Sequence, residues 1–133
     1  MFLDILSNFF TLCPALSGRK IMQNYLAPSV GSACLLTVPE NPVYKTYTDG
    51  GVIYQSVFKL VLREPFDKSF NFSSLYSSFL KWVESVNSPS ALPDLGEGFS
   101  PVSLSVLKSG SIKSSSPSFS EYEIVCRLLY SHI

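Results

Sequence analysis

Few residues of this chain have the type and spacing that catalysis needs. The single histidine, His132, lies one residue before the C-terminus, where chain ends fray and a general base is hard to position. Glu121 and Glu123 are spaced for one face of a strand, which favours a solvated edge or an ion-pairing surface over an acid–base pair. The run Ser17–Lys20 lacks the glycine spacing of a Walker phosphate loop. We therefore predict that the protein is not an enzyme and holds no cofactor.

The cysteines also argue against a chemical site. Cys13, Cys34 and Cys126 are odd in number and widely spaced, and no CxxC pair occurs. Such a pattern is unlike a disulfide framework or a thiolate zinc site, and a single histidine cannot complete a His-rich metal site. We expect buried free thiols in a reducing compartment, and no metal.

The composition indicates one domain that has a partner. A chain of 133 residues can build one core but not two comfortable ones, so residues 1–133 are predicted to form a single domain. Apolar residues make up 46% of the chain and charged residues only 15%, which is a thin charged shell for a solitary monomer. We infer that another subunit or partner covers part of the surface.

The charge and hydropathy patterns exclude two classes of partner. Ten basic residues balance ten acidic ones, so the chain lacks the basic stripe that sequence-independent nucleic-acid binding requires. No apolar run approaches the length of a membrane span, and the apolar N-terminus has no basic leader. We expect synthesis and use in the cytosol, without a membrane partner.

Hydrophobic periodicity predicts an α+β fold, with a mostly antiparallel or mixed sheet and helices packed on one face. The predicted helices cover 2–12 and 71–86, with Asn71 as the N-cap of the second, and a short element lies near 21–26. The predicted strands cover 34–38, 43–48, 51–63, 102–108 and 122–131. Asp49 and Gly50 predict a tight two-residue hairpin turn with positive φ at both residues. The serine-rich segment 109–119 is predicted to be a mobile loop.

The second hairpin strand has an unusual outer face. One face carries the apolar residues expected of a core strand, whereas the other holds Ile53, Gln55, Val57, Lys59, Val61 and Arg63. A solvent face should be more polar than this half-apolar set, and the strand is about twice the usual length. This face therefore indicates a contact surface between subunits.

The order of several short motifs resembles a family of small proteins of tailed bacteriophages and prophages of Gram-positive bacteria. These proteins are labelled minor capsid proteins and are similar to tail terminators. The motifs are Thr46–Gly51, Leu62–Asp67, Lys81–Glu84, Leu92–Gly96, Leu107–Gly110 and Tyr122–Tyr130. The resemblance covers roughly residues 43–131, and the serine-rich stretch 111–118 and Pro65 depart from it.

The resemblance implies a structural role in the virion. Tail terminators form hexameric rings on a completed tail tube, stop its polymerisation and provide the docking surface for head completion proteins. The family fold is an α/β sandwich with a mixed or antiparallel sheet and flanking helices. The implied partners are other copies of this chain, the tail tube protein and the head completion or connector proteins, at the head–tail junction.

The hairpin and the serine-rich segment are the expected contact elements of such a ring. The residues predicted to contact a neighbouring subunit or the tail tube are Tyr47, Asp49, Ile53, Gln55, Val57, Lys59, Arg63, Ile112 and Lys113. Two other functions stay open at this point. One is a stopper or adaptor on the capsid side of the junction, and the other is a small ligand-binding or enzymatic domain that uses Arg63, Glu64 and Arg127.

Overall fold

The computed structural model confirms the predicted fold class: it contains a six-stranded, mostly antiparallel sheet and two α-helices. It describes residues 2–16, 19–24, 32–65, 72–88, 90–115 and 119–132. The helices are α1 (Leu3–Phe10) and α2 (Phe72–Ser85), with a short 3₁₀ helix at Pro14–Leu16. The strands are β1 (Ile21–Gln23), β2 (Ala33–Thr37), β3 (Val43–Thr46), β4 (Val52–Pro65), β5 (Phe99–Ser115) and β6 (Phe119–His132).

The sheet is built around β4. Its strand order is β1-β2-β4-β6-β5, and β1–β2 is the parallel pair. Both β2 and β3 lie antiparallel on the same side of β4, with β2 opposite Phe58–Leu62 and β3 opposite Val52–Tyr54. β2 and β3 therefore pair with successive parts of the same side of β4. The other side of β4 pairs with β6 from Tyr54 to Pro65. The two outer edges of the sheet are therefore β5 on one side and β1 with β3 on the other.

The core lies between the helices and one face of this sheet. The core side chains of the sheet come from alternate positions, Phe58, Leu60 and Leu62 on β4 and Ile124, Cys126 and Leu128 on β6. This is the period-2 pattern of a strand with one buried face. Phe10 of α1 is fully buried, and its ring lies 5.9 Å from Phe58 and 5.7 Å from Phe79 of α2, measured between centroids. The helices pack on one face of the sheet, as predicted.

The hairpin turn differs from its prediction. Gly50 has a φ of 91°, but Asp49 does not have positive φ. The Tyr47 N–H donates to the Gly51 carbonyl at 2.8 Å, and the Gly50 N–H donates to the Tyr47 carbonyl at 3.1 Å. These bonds enclose a three-residue loop that ends in a left-handed glycine, a common hairpin connection. Asp49 stabilises it from its side chain, where Oδ1 accepts a hydrogen bond of 3.0 Å from the Gly51 N–H.

The prediction of a mobile loop at 109–119 is wrong for residues 109–115 and for Phe119, which belong to β5 and β6. β5 continues to Ser115 and pairs with the start of β6, for example Ser111 with Glu123 and Ser115 with Ser120. The prediction weighed only side-chain burial, whereas a strand is also ordered by backbone hydrogen bonds to a neighbour that is itself held in the sheet. The predicted N-cap Asn71 and the loop residues 116–118 lie outside the described residues.

Candidate interaction surface

The face of the sheet opposite the helices, here called the open face, is built by alternate residues of the two central strands. β4 contributes the predicted contact residues Ile53, Gln55, Val57, Lys59 and Arg63, together with Val61. β6 contributes Glu121, Glu123, Val125, Arg127 and Leu129, which lie beside them in the antiparallel register. Both described helices contact the other face. On this face Val57 and Val61, and Cys34 beside Val61 on β2, are nevertheless buried.

Charged side chains on the open face are arranged in opposite pairs across β4 and β6. The Arg63 guanidinium donates to Glu121 Oε1 at 2.8 Å, between residues that face each other directly in the register. The Lys59 ammonium lies 3.8 Å from Glu123 Oε2 on the diagonal. The pairing balances charge within the face, so the surface that a partner meets has little net charge.

Tyr44 of β3 reaches over the open face from the edge of the sheet. The guanidinium carbon of Arg127 lies 4.6 Å from the centroid of its ring, within the range of a cation–π contact. This contact ties β3 to β6, although the two strands are not paired with one another. It also leaves the Tyr44 ring exposed on its other side.

The middle of the open face contains a cavity of about 280 Å³. Val57 and Val125 form its apolar floor. Charged and apolar side chains from four segments form its walls, namely Val38, Glu40, Lys59, Leu107, Lys108 and Glu123. The walls hold two cationic and two anionic groups, so the cavity suits a mixed apolar and polar contact, not a single charged ligand.

The predicted contact residues do not form one patch. Ile53, Gln55, Lys59 and Arg63 are half-buried on the open face, whereas Val57 is buried beneath the cavity. Tyr47 and Asp49 are exposed at the hairpin turn.

Ile112 and Lys113 lie at the other end of the sheet, and their side chains are outside the described set. Ile112 pairs with Tyr122, which pairs with Leu62, about ten residues from the hairpin turn along β4 or roughly 33 Å. The nine residues therefore extend along the whole length of the long strands.

The three residues of the ligand-binding alternative are not brought together. Arg63 is paired with Glu121 on the open face, and Arg127 is stacked on Tyr44. Glu64 points to the helix side and forms an ion pair with Arg19, which follows the 3₁₀ helix. Since neighbouring residues of a strand face opposite sides of the sheet, Glu64 cannot act in one site with Arg63 and Arg127.

The single histidine is held in place, unlike a frayed chain end. His132 pairs with Phe99 in the β5–β6 ladder, and the two rings stack at a centroid separation of 4.3 Å. Together with Pro42, Tyr54 and Tyr130 they line an open cavity of about 260 Å³. The expectation of fraying was therefore wrong for His132, because β5 extends far enough to pair with it.

The cysteines agree with the prediction of buried free thiols. Cys13, Cys34 and Cys126 are all buried and none forms a disulfide. Burial raises the pKa of the Cys126 thiol to about 12 and also raises the pKa of Cys13, so both are held in the protonated form. Among the described residues no group of three His, Cys, Asp or Glu side chains could hold a metal ion, and no helix there is long and apolar enough to cross a membrane.

Sequence reasoning missed three exposed apolar residues, Tyr44, Val102 and Leu107. Each stands at a register irregularity of an outer strand, at the break between Val43 and Lys45, between Pro101 and Ser103, or between Val106 and Lys108. A bulge is decided by how two distant strands align, so the local sequence gives no signal for it.

Comparisons with known proteins do not identify a family for this chain. A scan against protein-family models and a search of curated protein sequences both found no match.

Proposed function

We propose that the protein is a structural subunit of a bacteriophage virion, a tail terminator that forms a ring on the tail tube. The ring, a hexamer by resemblance to tail terminators, stops polymerisation of the tube and offers its other side to the head completion proteins. The protein then acts at the head–tail junction, after assembly in the cytoplasm of the bacterial host.

The observation that carries this proposal is the two-sided character of the sheet. One face is closed by helices and a continuous core, while the open face combines the half-buried apolar residues Ile53, Val125 and Leu129 with paired charges. A ring subunit needs such a surface, because it must bury area against neighbours without carrying an unpaired charge into the contact. The 15% share of charged residues fits a subunit whose surface is partly covered.

The absence of net charge supports the same role. A formal net charge of zero and the paired charges of the open face give DNA no strongly basic surface to adhere to. A channel through which DNA passes benefits from that property.

Ring formation is the first test of this proposal. We expect the purified protein to form rings visible by negative-stain electron microscopy, either alone at high concentration or when it is added to isolated tail tubes. Light scattering should report a mass that rises with concentration toward a closed multiple of 14.7 kDa. A protein that remains a monomer and also fails to appear on tubes contradicts the proposal.

The partner that binds the protein separates a terminator from a stopper or adaptor on the capsid side. An immobilised terminator should retain the tail tube subunit of its own phage, whereas a stopper should retain the portal or the head completion protein instead. Retention of the capsid-side proteins alone would move the protein to the other side of the junction.

A further inference from the structure

Exposed apolar side chains are concentrated at the two edges of the sheet. In the described part of the chain, six large apolar side chains are exposed. Five of them belong to edge segments, Val43, Tyr44 and Tyr47 on the β3 hairpin and Val102 and Leu107 on β5, and the sixth is Leu12 after α1. Each edge therefore presents an apolar surface, and the two surfaces differ in sequence and shape.

Bulges place three of these side chains. Tyr44, Val102 and Leu107 each lie at a register shift, where the residue has no directly opposite partner on the neighbouring strand. A bulge changes the direction of a side chain. At a sheet edge it often prevents pairing with a strand of another chain. Charged side chains are another common means of blocking an exposed edge. A lysine follows two of the three bulges, Lys45 on β3 and Lys108 on β5, but the side chains at the bulges themselves are apolar and exposed. Exposed apolar side chains at an edge favour a covered edge over a solvated one.

The two edges also match in length. Between the bulges at Val102 and Leu107, the four residues Ser103–Val106 pair regularly with β6 and form a straight stretch of edge. β3 is also four residues long, Val43–Thr46. In the described part of the chain, neither β3 nor β5 has a strand on its outer side.

We propose that β3 of one copy pairs with Ser103–Val106 of the next copy, so that the sheet continues from subunit to subunit. This contact rests on the proposed function, which requires copies to form a ring. It is a head-to-tail contact between two different surfaces, the kind that generates a closed ring when the rotation between copies closes.

Ring symmetry determines the direction of the pairing. Within one copy β3 and β5 run in opposite directions, since β3–β4, β4–β6 and β6–β5 are all antiparallel. Rotation about a ring axis preserves the direction of a strand along that axis, so β3 meets the neighbouring β5 in antiparallel orientation. Val43 then lies opposite Val106 and Thr46 opposite Ser103.

Charge complementarity supports this orientation. Glu40 and Lys108 both lie at the rim of the open-face cavity of their own copy. In a continued antiparallel sheet, Glu40, which precedes β3, also comes beside Lys108 of the neighbouring copy, on the same face of the sheet. Both side chains are exposed. Lys108 is the only charged residue in the stretch 99–108, so the acidic residue before β3 meets the basic residue beside the proposed pairing stretch.

Mixing two edge variants tests the contact. Val43→Lys with Tyr44→Lys blocks the β3 edge, and Val102→Lys with Leu107→Lys blocks the β5 edge. Each variant alone is expected to lose ring formation, because it has only one working edge. An equimolar mixture should form a two-copy complex and nothing larger, measured by native mass spectrometry. Leu12→Lys, a change of the same kind away from both edges, should form rings as the unchanged chain does.

Cysteine cross-linking tests the register and does not depend on the tolerance of the edges for lysine. The double variant Thr46→Cys with Ser103→Cys is expected to give a ladder of linked copies under mild oxidation. The native cysteines are buried and should not form disulfides between copies. Each single variant should give no ladder beyond a pair.

Several outcomes overturn the contact. These outcomes are rings formed by either edge variant, the absence of a complex in the equimolar mixture, and the absence of a ladder from the double cysteine variant. Where the unchanged chain forms rings only on tail tubes, the same variants are compared on tubes, and each of these outcomes then overturns the contact in the same way. The proposed function fails separately. If wild-type rings form through these edges but do not stop tube growth, the contact holds and the function is wrong. If edge variants still stop tube growth, the function holds and the contact is wrong.

Discussion

Replacing Phe10 with alanine is expected to lower the free energy of unfolding by about 3–5 kcal/mol. Phe10 is fully buried, and its ring contacts those of Phe58 on β4 and Phe79 and Trp82 on α2, with centroid separations of 5.7–5.9 Å. The truncation removes the ring that joins α1 and α2 to the sheet and leaves a cavity between three rigid aromatic neighbours. Because such neighbours cannot easily collapse into the space, the loss should lie at the upper end for a core residue.

Chemical denaturation measures this effect, and Leu12→Ala is the matched control. Leu12 lies two residues after Phe10 but is 69% exposed, so its truncation should change stability by less than about 0.5 kcal/mol. A domain of this kind has a total stability of about 5–15 kcal/mol, so the Phe10 loss is a large part of it. A change of less than about 1 kcal/mol for Phe10→Ala would contradict the described packing of the helices on the sheet.

Replacing Glu64 with alanine is expected to cost about 2–3 kcal/mol of stability, although Glu64 is not part of the apolar core. Glu64 forms an ion pair with Arg19, and only 14% of the Arg19 side chain and 8% of that of Glu64 are exposed. Burial lowers the pKa of Arg19, but the guanidinium still stays charged in the folded state. The alanine variant therefore leaves a partly buried guanidinium without the Glu64 carboxylate.

A double substitution distinguishes the lost attraction between Arg19 and Glu64 from the cost of leaving the Arg19 charge without the Glu64 carboxylate. Arg19→Met with Glu64→Leu replaces the pair by apolar side chains of similar size, and its stability should return to within about 1 kcal/mol of the unchanged chain. Glu84→Ala on the exposed surface of α2 is the control, with an expected change below about 0.5 kcal/mol. If Glu64→Ala costs no more than Glu84→Ala, the ion pair does not hold the segment after the 3₁₀ helix against β4.

The elements with strong periodicity could be predicted from the sequence. The apolar stripes of α1 and α2 and the alternation in β4 and β6 were readable because each lies beside one continuous core. The extent of β5 could not be read, since residues 109–115 are mostly serine, glycine and lysine and are ordered through backbone pairing with β6. That partner begins only at Phe119, so it depends on the alignment of the whole hairpin.

The candidate surface was only partly predictable. Alternation along β4 correctly placed Ile53, Lys59 and Arg63 on one face, because a strand has a side-chain period of two. The pairing of Arg63 with Glu121 joins residues 58 positions apart, and no local pattern in one sequence encodes it. The exposed Val102 and Leu107 result from register shifts between β5 and β6, which a period-two reading of either strand cannot show.

The length of tail tubes is the measurement that tests the central claim most directly. Tube subunits of the same phage should be polymerised with and without this protein, and tube lengths measured by electron microscopy. We predict that adding the protein stops elongation and leaves a ring at one end of each tube, while Leu12→Lys acts as the unchanged chain does. Tubes that keep growing at the same rate, with no ring at either end, would contradict a role as tail terminator.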